Sequence, residues 1–280
     1  MIVILSFNHP ELTTRTLQSA QAFAPDQDLL LVHNGSRQNF VEQLQKTFPQ
    51  VQHLILEKNL GYSGGVNAGL SFALQKSVWA LLLTNDCQLL QYQRPANDES
   101  PALKAPQVFA RKQDRIDSYG GVFEPLSGKL AHLKTPTELA SLQTQIKTWR
   151  LPYVPGSAFW IHREVFEVLG GFDERLGTYW EDVDFSVRAW QKGFPLKVDL
   201  QTQVLHGIGK TCHKNPHYTT YLYQRNRRLI SKKYLREFQL SSPLQARLHW
   251  RLTRDYSKLF TRFLRQRDWN KISLLWKSLR

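Results

Sequence analysis

Residues 51–86 read VQHLILEKNLGYSGGVNAGLSFALQKSVWALLLTND, and their order decides the fold. Val51–Leu56 alternates apolar and polar residues, as a half-buried strand does. Glycines crowd the stretch Gly61–Gly69, ahead of Val66, Leu70, Ala73 and Leu74 at helical spacing. Val78–Leu83 is an apolar run suited to a buried strand, and it ends in the polar Thr84-Asn85-Asp86. A strand, a glycine loop, a helix and a strand in this order form the building unit of a mostly parallel α/β sheet.

The alternation extends upstream. Ile2–Phe7 and Leu29–Val32 read as strands. Pro10 opens a helix carrying Leu12, Leu17 and Ala20, and Phe40, Val41, Leu44 and Phe48 mark another. Every strand ends in a polar motif: Ser6-Phe7-Asn8, His33-Asn34-Gly35-Ser36, Lys58-Asn59-Leu60-Gly61 and Thr84-Asn85-Asp86. Ligands of open α/β sheets bind beyond the carboxyl ends of the strands. Asn, Gly and Ser also dominate plain turns, so the weight lies in four motifs in register. The loop Gly61–Leu70 permits close backbone approach to a phosphate or ribose, with a simple glycine turn as its alternative.

Farther along, Gln88–Ala105 reads as a loop and Ser118–Leu133 as turns and short strands. Leu133–Pro152 is polar and patternless, Tyr153–Ile161 is an apolar strand entered through a turn, and Arg163–Leu169 is a short helix. Leu196–Val204 reads as one or two strands. A second dense signal is Gly170–Phe194, GGFDERLGTYWEDVDFSVRAWQKGF. Its five carboxylates, Asp173, Glu174, Glu181, Asp182 and Asp184, repel one another unless a metal, a cation, hydrogen-bond donors or a proton offsets them. Val183, Val187 and Trp190 share one side of a helix that Gly193 ends, so Glu181, Asp182 and Asp184 stand at its N-terminus. Acids there also act as plain caps, worth about 0.3–1 kcal/mol each, and spacing alone leaves the two readings even.

The 280 residues, 41% hydrophobic with eight Trp, suit a folded protein with a sizeable core. Cys87 and Cys212 give neither a disulfide framework nor paired metal-ligand spacing. No apolar run is long enough for a transmembrane helix, and MIVILSF lacks the charged leader and long apolar core of a signal peptide, so a cytoplasmic location is expected. The net charge of +14 is uneven. Residues 218–280 hold 16 Lys/Arg against 3 Asp/Glu, whereas the preceding 217 hold 21 against 20. A boundary is therefore expected near residue 217.

Taken together, the motifs resemble the family-2 glycosyltransferases, most closely a rhamnosyltransferase-like bacterial branch. Ile4–Asn8 matches the family's opening strand, and His33-Asn34-Gly35-Ser36 its usual Asp-Asn-Gly-Ser. Asn59–Gly69 matches Asn-x-Gly-x-x-Gly-Gly-x-Asn-x-Gly in full. Thr84-Asn85-Asp86 aligns with the metal motif, Gly170–Glu174 with Gly-Gly-Phe-Asp-Glu, and Glu181–Asp184 with Glu-Asp-x-Asp. His206-Gly207 and Arg225-Asn226 match later elements.

The resemblance implies a GT-A-type, Rossmann-like, mostly parallel sheet flanked by helices. Residues 1–217 would be the catalytic domain, with 1–87 binding the nucleotide sugar and 88–217 the acceptor, and 218–280 a basic amphipathic helical extension. It implies inverting transfer from a nucleoside-diphosphate sugar to a glycan or glycolipid in cell-surface polysaccharide synthesis. Asp182 would be the general base, supported by Glu181. The implied donor-binding residues are Ser6, Asn8, His33, Asn34, Ser36, Lys58, Asn59, Gly61, Gly64, Gly65, Asn67 and Asn85. Gly156, Asp173, Trp180 and Glu181 would meet the acceptor. Asp86 and His206 would hold Mg²⁺ or Mn²⁺, with Lys210 nearby. Two departures stand out: His33 replaces the strand-two Asp, and Thr84 replaces the first metal-motif acid.

In Leu244–Gln266, Arg247, Arg251, Arg254, Lys258, Arg262 and Arg265 oppose Leu248, Leu252, Tyr256, Leu259, Phe260 and Phe263. Such a basic amphipathic helix packs on the body or on a second copy of the chain, or it lies on an anionic membrane. The second option, through residues 244–280, gives peripheral attachment to the inner face of the cell membrane. No motif supports nucleic-acid binding. The rivals to a glycosyltransferase are a sugar nucleotidyltransferase, whose glycine-rich first loop is missing at Ser6–Glu11, and a non-enzymatic membrane or nucleic-acid binding module.

Overall fold

A computed structural model describes residues 1–110, 115–144, 150–207, 216–237, 242–266 and 268–277, without the side chains of 216–218, 242, 244–245 and 247–249. Lys210 and Cys212 lie outside the described residues. Strands and helices alternate at first: β1 (Ile2–Ser6), α1 (Pro10–Phe23), β2 (Leu29–Asn34), α2 (Gln38–Thr47), β3 (Gln52–Leu56), α3 (Gly61–Lys76) and β4 (Trp79–Thr84). These strands pair in parallel in the order β3-β2-β1-β4.

The unbroken apolar runs of β1 and β4 follow from burial on both faces. Val3 and Leu5 pack with Val66 and Leu70 of α3 on one side of the sheet. Ile2 and Ile4 pack with Leu17 and Ala20 of α1 on the other.

The chain continues with β5 (Cys87–Gln91), β6 (Leu103–Phe109), β7 (Ile116–Ser118), β8 (Gly121–Glu124), β9 (Lys129–His132), α4 (Pro136–Thr144), β10 (Leu151–Tyr153), β11 (Ala158–His162), α5 (Arg163–Leu169), α6 (Glu181–Gln191) and β12 (Leu196–His206). The main sheet extends past β4 as β11-β6-β12-β5, with β7 beside β6. Here β11 runs antiparallel to its neighbours, β12 parallel to β6, and β5 antiparallel to β12. The parallel part is thus the N-terminal four strands. A small sheet, β10-β8-β9, stands beside it. Two stretches differ from the sequence expectation. Gln88–Ala105 contains most of β5 and the start of β6, and the patternless Leu133–Pro152 contains α4 and enters β10. These short elements bury side chains through neighbours distant in sequence, such as Leu139 on Gly120, so no local period marks them.

Three helices complete the described chain: α7 (Pro216–Glu237), α8 (Ser242–Arg265) and α9 (Trp269–Lys277). Asn226 of α7 donates from Nδ2 to the carbonyls of Leu176 (2.8 Å), Thr178 (3.0 Å) and Tyr179 (2.8 Å). Arg227 donates to the carbonyls of Gly128 (2.7 Å) and Ser127 (2.9 Å) and to Asp255 of α8 (2.8 Å). Tyr256 and Phe263 of α8 bury with Ile272 and Leu275 of α9. The basic extension is therefore docked on the body. Its large exposed apolar side chains among the described residues are Leu229, Trp250, Leu264, Trp269 and Trp276.

The close approach of α3 to the sheet is set by glycine. A Cβ on Gly65 would stand 2.7 Å from Leu5 Cδ1 and 2.8 Å from Asn34 Nδ2. Forced overpacking costs about 1–3 kcal/mol. Gly65→Ala is expected to lower Tm by several degrees in a thermal melt. An unchanged Tm would mean the helix backs away freely.

Candidate active site

The polar strand ends meet at one edge of the parallel sheet and hold one another. Asn8, at a left-handed φ of 51°, donates its backbone N–H to Ser36 Oγ (3.2 Å) and accepts from the Arg37 N–H at Oδ1 (2.8 Å). Buried Asn34 donates from Nδ2 to the Gly61 carbonyl (2.8 Å) and to Asn59 Oδ1 (3.3 Å), and accepts from the Leu60 N–H (2.9 Å). Gly35, at φ +69°, lies so near the next loop that a Cβ would come 2.2 Å from the Asn59 nitrogen. Asn8, Asn34, Ser36, Asn59 and Gly61 are thus brought together, with Lys58 exposed beside them.

Other residues expected at the donor turn away. Ser6 Oγ is buried 2.7 Å from Thr13 Oγ1, and Asn85 points toward the same helix, its Nδ2 3.4 Å from Thr13 Oγ1. His33 is fully buried, with Nε2 2.8 Å from His53 Nδ1 and the rings stacked at 5.2 Å. Burial, then the charge of His53, holds its pKa down to about 4, so it is neutral near pH 7. It packs within the sheet layer against β3.

The glycine signature joins the two halves of the site. Gly64 and Gly65 are buried packing positions, with Leu60, and with Leu5 and Asn34, where a Cβ would go. The Ser63 N–H donates to the Gly177 carbonyl (2.8 Å) and the Tyr62 N–H to Thr178 Oγ1 (3.2 Å). Asn67 accepts from the Phe172 N–H (2.8 Å) and donates to the Phe172 carbonyl (3.0 Å) and Glu174 Oε1 (3.0 Å). The first turns of α3 therefore latch the loop that leads into α6.

At the start of α6 three carboxylates have three fates. Asp182 is partly buried and accepts the Gly156 N–H at Oδ2 (2.8 Å) and the Val183 N–H at Oδ1 (2.8 Å). The Tyr62 hydroxyl donates to the Gly156 carbonyl and completes this support. Burial pushes the Asp182 carboxyl up, and the Gly156 and Val183 donors pull against it. Glu181 is buried with Oε2 unpartnered, and burial, then the charge of Asp182, pushes it well above the usual carboxylate range. Asp184 is no helix cap: its side chain meets Arg188 Nε (2.8 Å), Lys233 Nζ (2.6 Å) and the Tyr234 hydroxyl (3.0 Å).

Of the residues expected at the acceptor, Gly156 holds the Asp182 carboxylate. Asp173 is paired with Arg175 (2.7 Å) in a local turn, which lowers its pKa. Trp180 is buried, 5.5 Å from the Phe123 and Tyr223 rings.

At the end of β4, Asp86 and Cys87 meet His206, with one ligand atom of each within 4.8 Å of the others. Asp86 Oδ2 lies 3.7 Å from His206 Nε2. The Cys87 thiol donates to the Ser157 carbonyl (3.2 Å), and burial pushes its pKa far up, which favours the neutral thiol. Asp86 and His206 offer an oxygen and a nitrogen, a donor pair that suits a hard divalent ion that also takes phosphate oxygens. Sequence reading missed Asp117 and His132, paired at 3.3 Å. The His132 hydrogen bond lowers the Asp117 pKa, with a smaller contribution from His206, and His132 in turn opposes the burial-driven rise at Asp182. They come from β7 and β9, whose brevity leaves no motif.

The family model for glycosyl transferase family 2 matches residues 1–170. The chain belongs to this family. An N-acetylglucosaminyl-diphospho-decaprenol L-rhamnosyltransferase of Mycobacterium tuberculosis (strain ATCC 25618 / H37Rv) is 25% identical over 234 residues, covering 71% of this chain and 75% of that one. The crystal structure of GalNAc-T7 with UDP, GalNAc and Mn²⁺ superposes with a TM-score of 0.58 at 18% identity, covering 80% of this chain and 46% of that chain. This chain thus spans about half the length of that protein. The mannosyltransferase PcManGT from Pyrobaculum calidifontis, in complex with GDP-Man and Mn²⁺, gives a TM-score of 0.52 at 14% identity, covering 99% and 73%. These likenesses show the GT-A-type fold.

Within family 2, the departure at Thr84 has a local reason. Its hydroxyl donates to Asp86 Oδ1 (2.6 Å), so it holds the remaining acid in place. The paired Glu181 and Asp182 carry a stability consequence. A carboxyl whose folded pKa is raised costs nothing while protonated in both states, and destabilises the fold once pH exceeds its unfolded value. Glu181→Gln is expected to raise Tm over wild type at pH 8 and to leave it unchanged near pH 4. Differential scanning fluorimetry across that range checks this, and a pH-independent difference would contradict the burial argument.

Proposed function

We propose that the chain is an inverting glycosyltransferase that moves a sugar from a nucleoside-diphosphate sugar to a lipid-linked glycan acceptor in cell-surface polysaccharide synthesis. The observation that carries this reading is Asp182, a carboxylate fixed by the Gly156 and Val183 N–H groups and raised in pKa by burial. A carboxylate of ordinary pKa is a weak base, and burial makes it a better one. Asp182 takes the proton of the acceptor hydroxyl as that oxygen attacks the anomeric carbon. The bond from this carbon to the nucleoside diphosphate breaks on the opposite face, so one displacement inverts the configuration. Burial, then the charge of Asp182, pushes the neighbouring Glu181 carboxyl upward, which disfavours a second negative charge beside the base.

The loops of Asn8, Asn34, Ser36, Asn59 and Gly61 form the donor side of the crevice. Asp86 and His206 would hold Mg²⁺ or Mn²⁺. Such an ion neutralises charge developing on a leaving diphosphate. The named Mycobacterium relative has a diphospho-lipid sugar in its name, which favours that acceptor class here.

Attachment to the inner membrane face fits α8 and α9. Trp250 and Leu264 lie on the exposed side of α8 with Arg254, Lys258 and Arg265 exposed alongside, and Trp269 and Trp276 are exposed on α9. Indole and basic side chains together suit an anionic interface. No helix among the described residues is long and apolar enough to cross a membrane.

Two outcomes test the reading. Asp182→Asn is expected to lower kcat by about 10²–10⁴-fold with Tm little changed, and wild-type kcat is expected to fall with pH through the raised Asp182 pKa. Full transfer by the variant would end the base assignment. Chelation and Asp86→Ala are each expected to abolish stabilisation by a nucleoside diphosphate in thermal-shift assays, with Mn²⁺ rescuing only the chelated wild type. Stabilisation that survives chelation would remove the metal from the site.

A further inference from the structure

An open groove of about 440 Å³ runs between α7, α8 and α9. Leu259 and Phe263 of α8 line it with Arg262, and Lys271 of α9 joins them. Tyr179 and Tyr223 also line it, their rings 5.9 Å apart. The lining is therefore apolar, cationic and aromatic at once, which does not match a simple packing defect between helices.

The groove is also next to the chemistry. Tyr179 lies three residues before Asp182, and left-handed turns at Tyr179 (φ 72°) and Trp180 (φ 74°) swing the chain into α6. The Tyr223 ring of the lining lies 5.5 Å from that of Trp180, two residues before Asp182. Burial pushes its phenol up, Arg227 draws it down, and the charge of Asp182 adds to the rise.

The charges at the groove differ in their freedom. Lys271 is paired with Asp268 (2.7 Å) and sits 5.4 Å over the Phe263 ring. Arg262 is exposed, and the described ion pairs give it no acid partner. Gln224, also in the lining, has a buried Oε1 without a partner, an acceptor suited to a hydroxyl of a bound sugar.

We propose that this groove seats a diphosphate-bearing lipid, with its phosphates against Arg262 and Lys271 and the start of its apolar chain on Leu259 and Phe263. The head sugar then passes Tyr179 and Tyr223 toward Asp182. This rests on the lipid-linked acceptor reading and gives that acceptor a place. A guanidinium takes two phosphate oxygens at once, whereas the paired ammonium of Lys271 adds a point charge. Leu259 and Phe263 offer an apolar chain burial that a purely soluble sugar does not need.

The test measures binding of farnesyl diphosphate, inorganic pyrophosphate and farnesol to the full chain by isothermal titration. Farnesyl diphosphate is expected to bind at least tenfold more tightly than either fragment. Arg262→Glu and Leu259→Glu are each expected to weaken it at least tenfold, and Arg262→Lys to retain most of the affinity. Arg265→Glu, on the exposed side of α8, is expected to leave it unchanged. Thermal melts establish that the variants are folded, and Arg262→Gln replaces any that are not. Unchanged affinity in Arg262→Glu overturns the proposal, as does pyrophosphate or farnesol binding as tightly as the conjugate. A dimer in solution that Arg262→Glu dissociates also overturns it, since the groove would then be an interface between copies. Asp182→Asn is expected to bind farnesyl diphosphate normally. Full transfer by that variant would sink the base assignment while leaving the groove measurement intact.

Discussion

The buried carboxylate of Asp184 organises the catalytic end of the molecule. It is 1% exposed, and its oxygens take Arg188, Lys233 and the Tyr234 hydroxyl. Arg188 also donates to the carbonyls of Leu169 (3.0 Å) and Gly171 (2.8 Å). One side chain thus joins α6, α7 and the loop after α5. A buried charge is tolerable only when paired and fully hydrogen-bonded, and removing one partner of such a pair typically costs about 3–5 kcal/mol. Burial raises the carboxyl pKa values of Glu181 and Asp182, which precede Asp184, while the Gly156 and Val183 N–H groups pull against that rise at Asp182.

The glycine-rich signature has a different physical role from the one its sequence suggests. Glycines before a helix suggest phosphate contact. In the fold, Gly65 and Gly69 let α3 press against β1 and β2, where Leu5, Val3 and Val32 occupy the space of the missing Cβ atoms. That close seat brings Ser63 and Asn67 within hydrogen-bonding reach of the loop 172–178. The signature therefore positions the acidic loop as much as it shapes the donor crevice.

Much of this was legible in the sequence, and the limits have physical causes. The first four strands and three helices bury continuous faces, so apolar period marks them well. The acidic stretch announced α6, because apolar spacing and a terminal glycine both bound it. His33 was expected at the donor from its place in the strand-two motif, and in the fold its ring stacks on His53 from β3, with Nε2 paired inside the sheet. No one-dimensional pattern pairs residues twenty apart. Trp180 was likewise assigned to the acceptor, yet its indole fills the core between Phe123 and Tyr223. Asp117 and His132 escaped notice because each sits on a strand of three or four residues.

The basic extension gains most from the structure. Charge alone marked residues 218–280 as an appendage, and a helix that merely covers the body would bury apolar residues and leave its cations to water. Here α7 does more. Asn226 binds the carbonyls of Leu176, Thr178 and Tyr179 in the loop before α6, and Lys233 and Tyr234 reach the Asp184 carboxylate. Tyr223, one turn earlier, touches Trp180. The start of α6, with Asp182, is thus held by a helix from the extension. The groove formed by the same helix and its successors therefore shares α7 with the contacts that hold the loop before α6 and the Asp184 carboxylate.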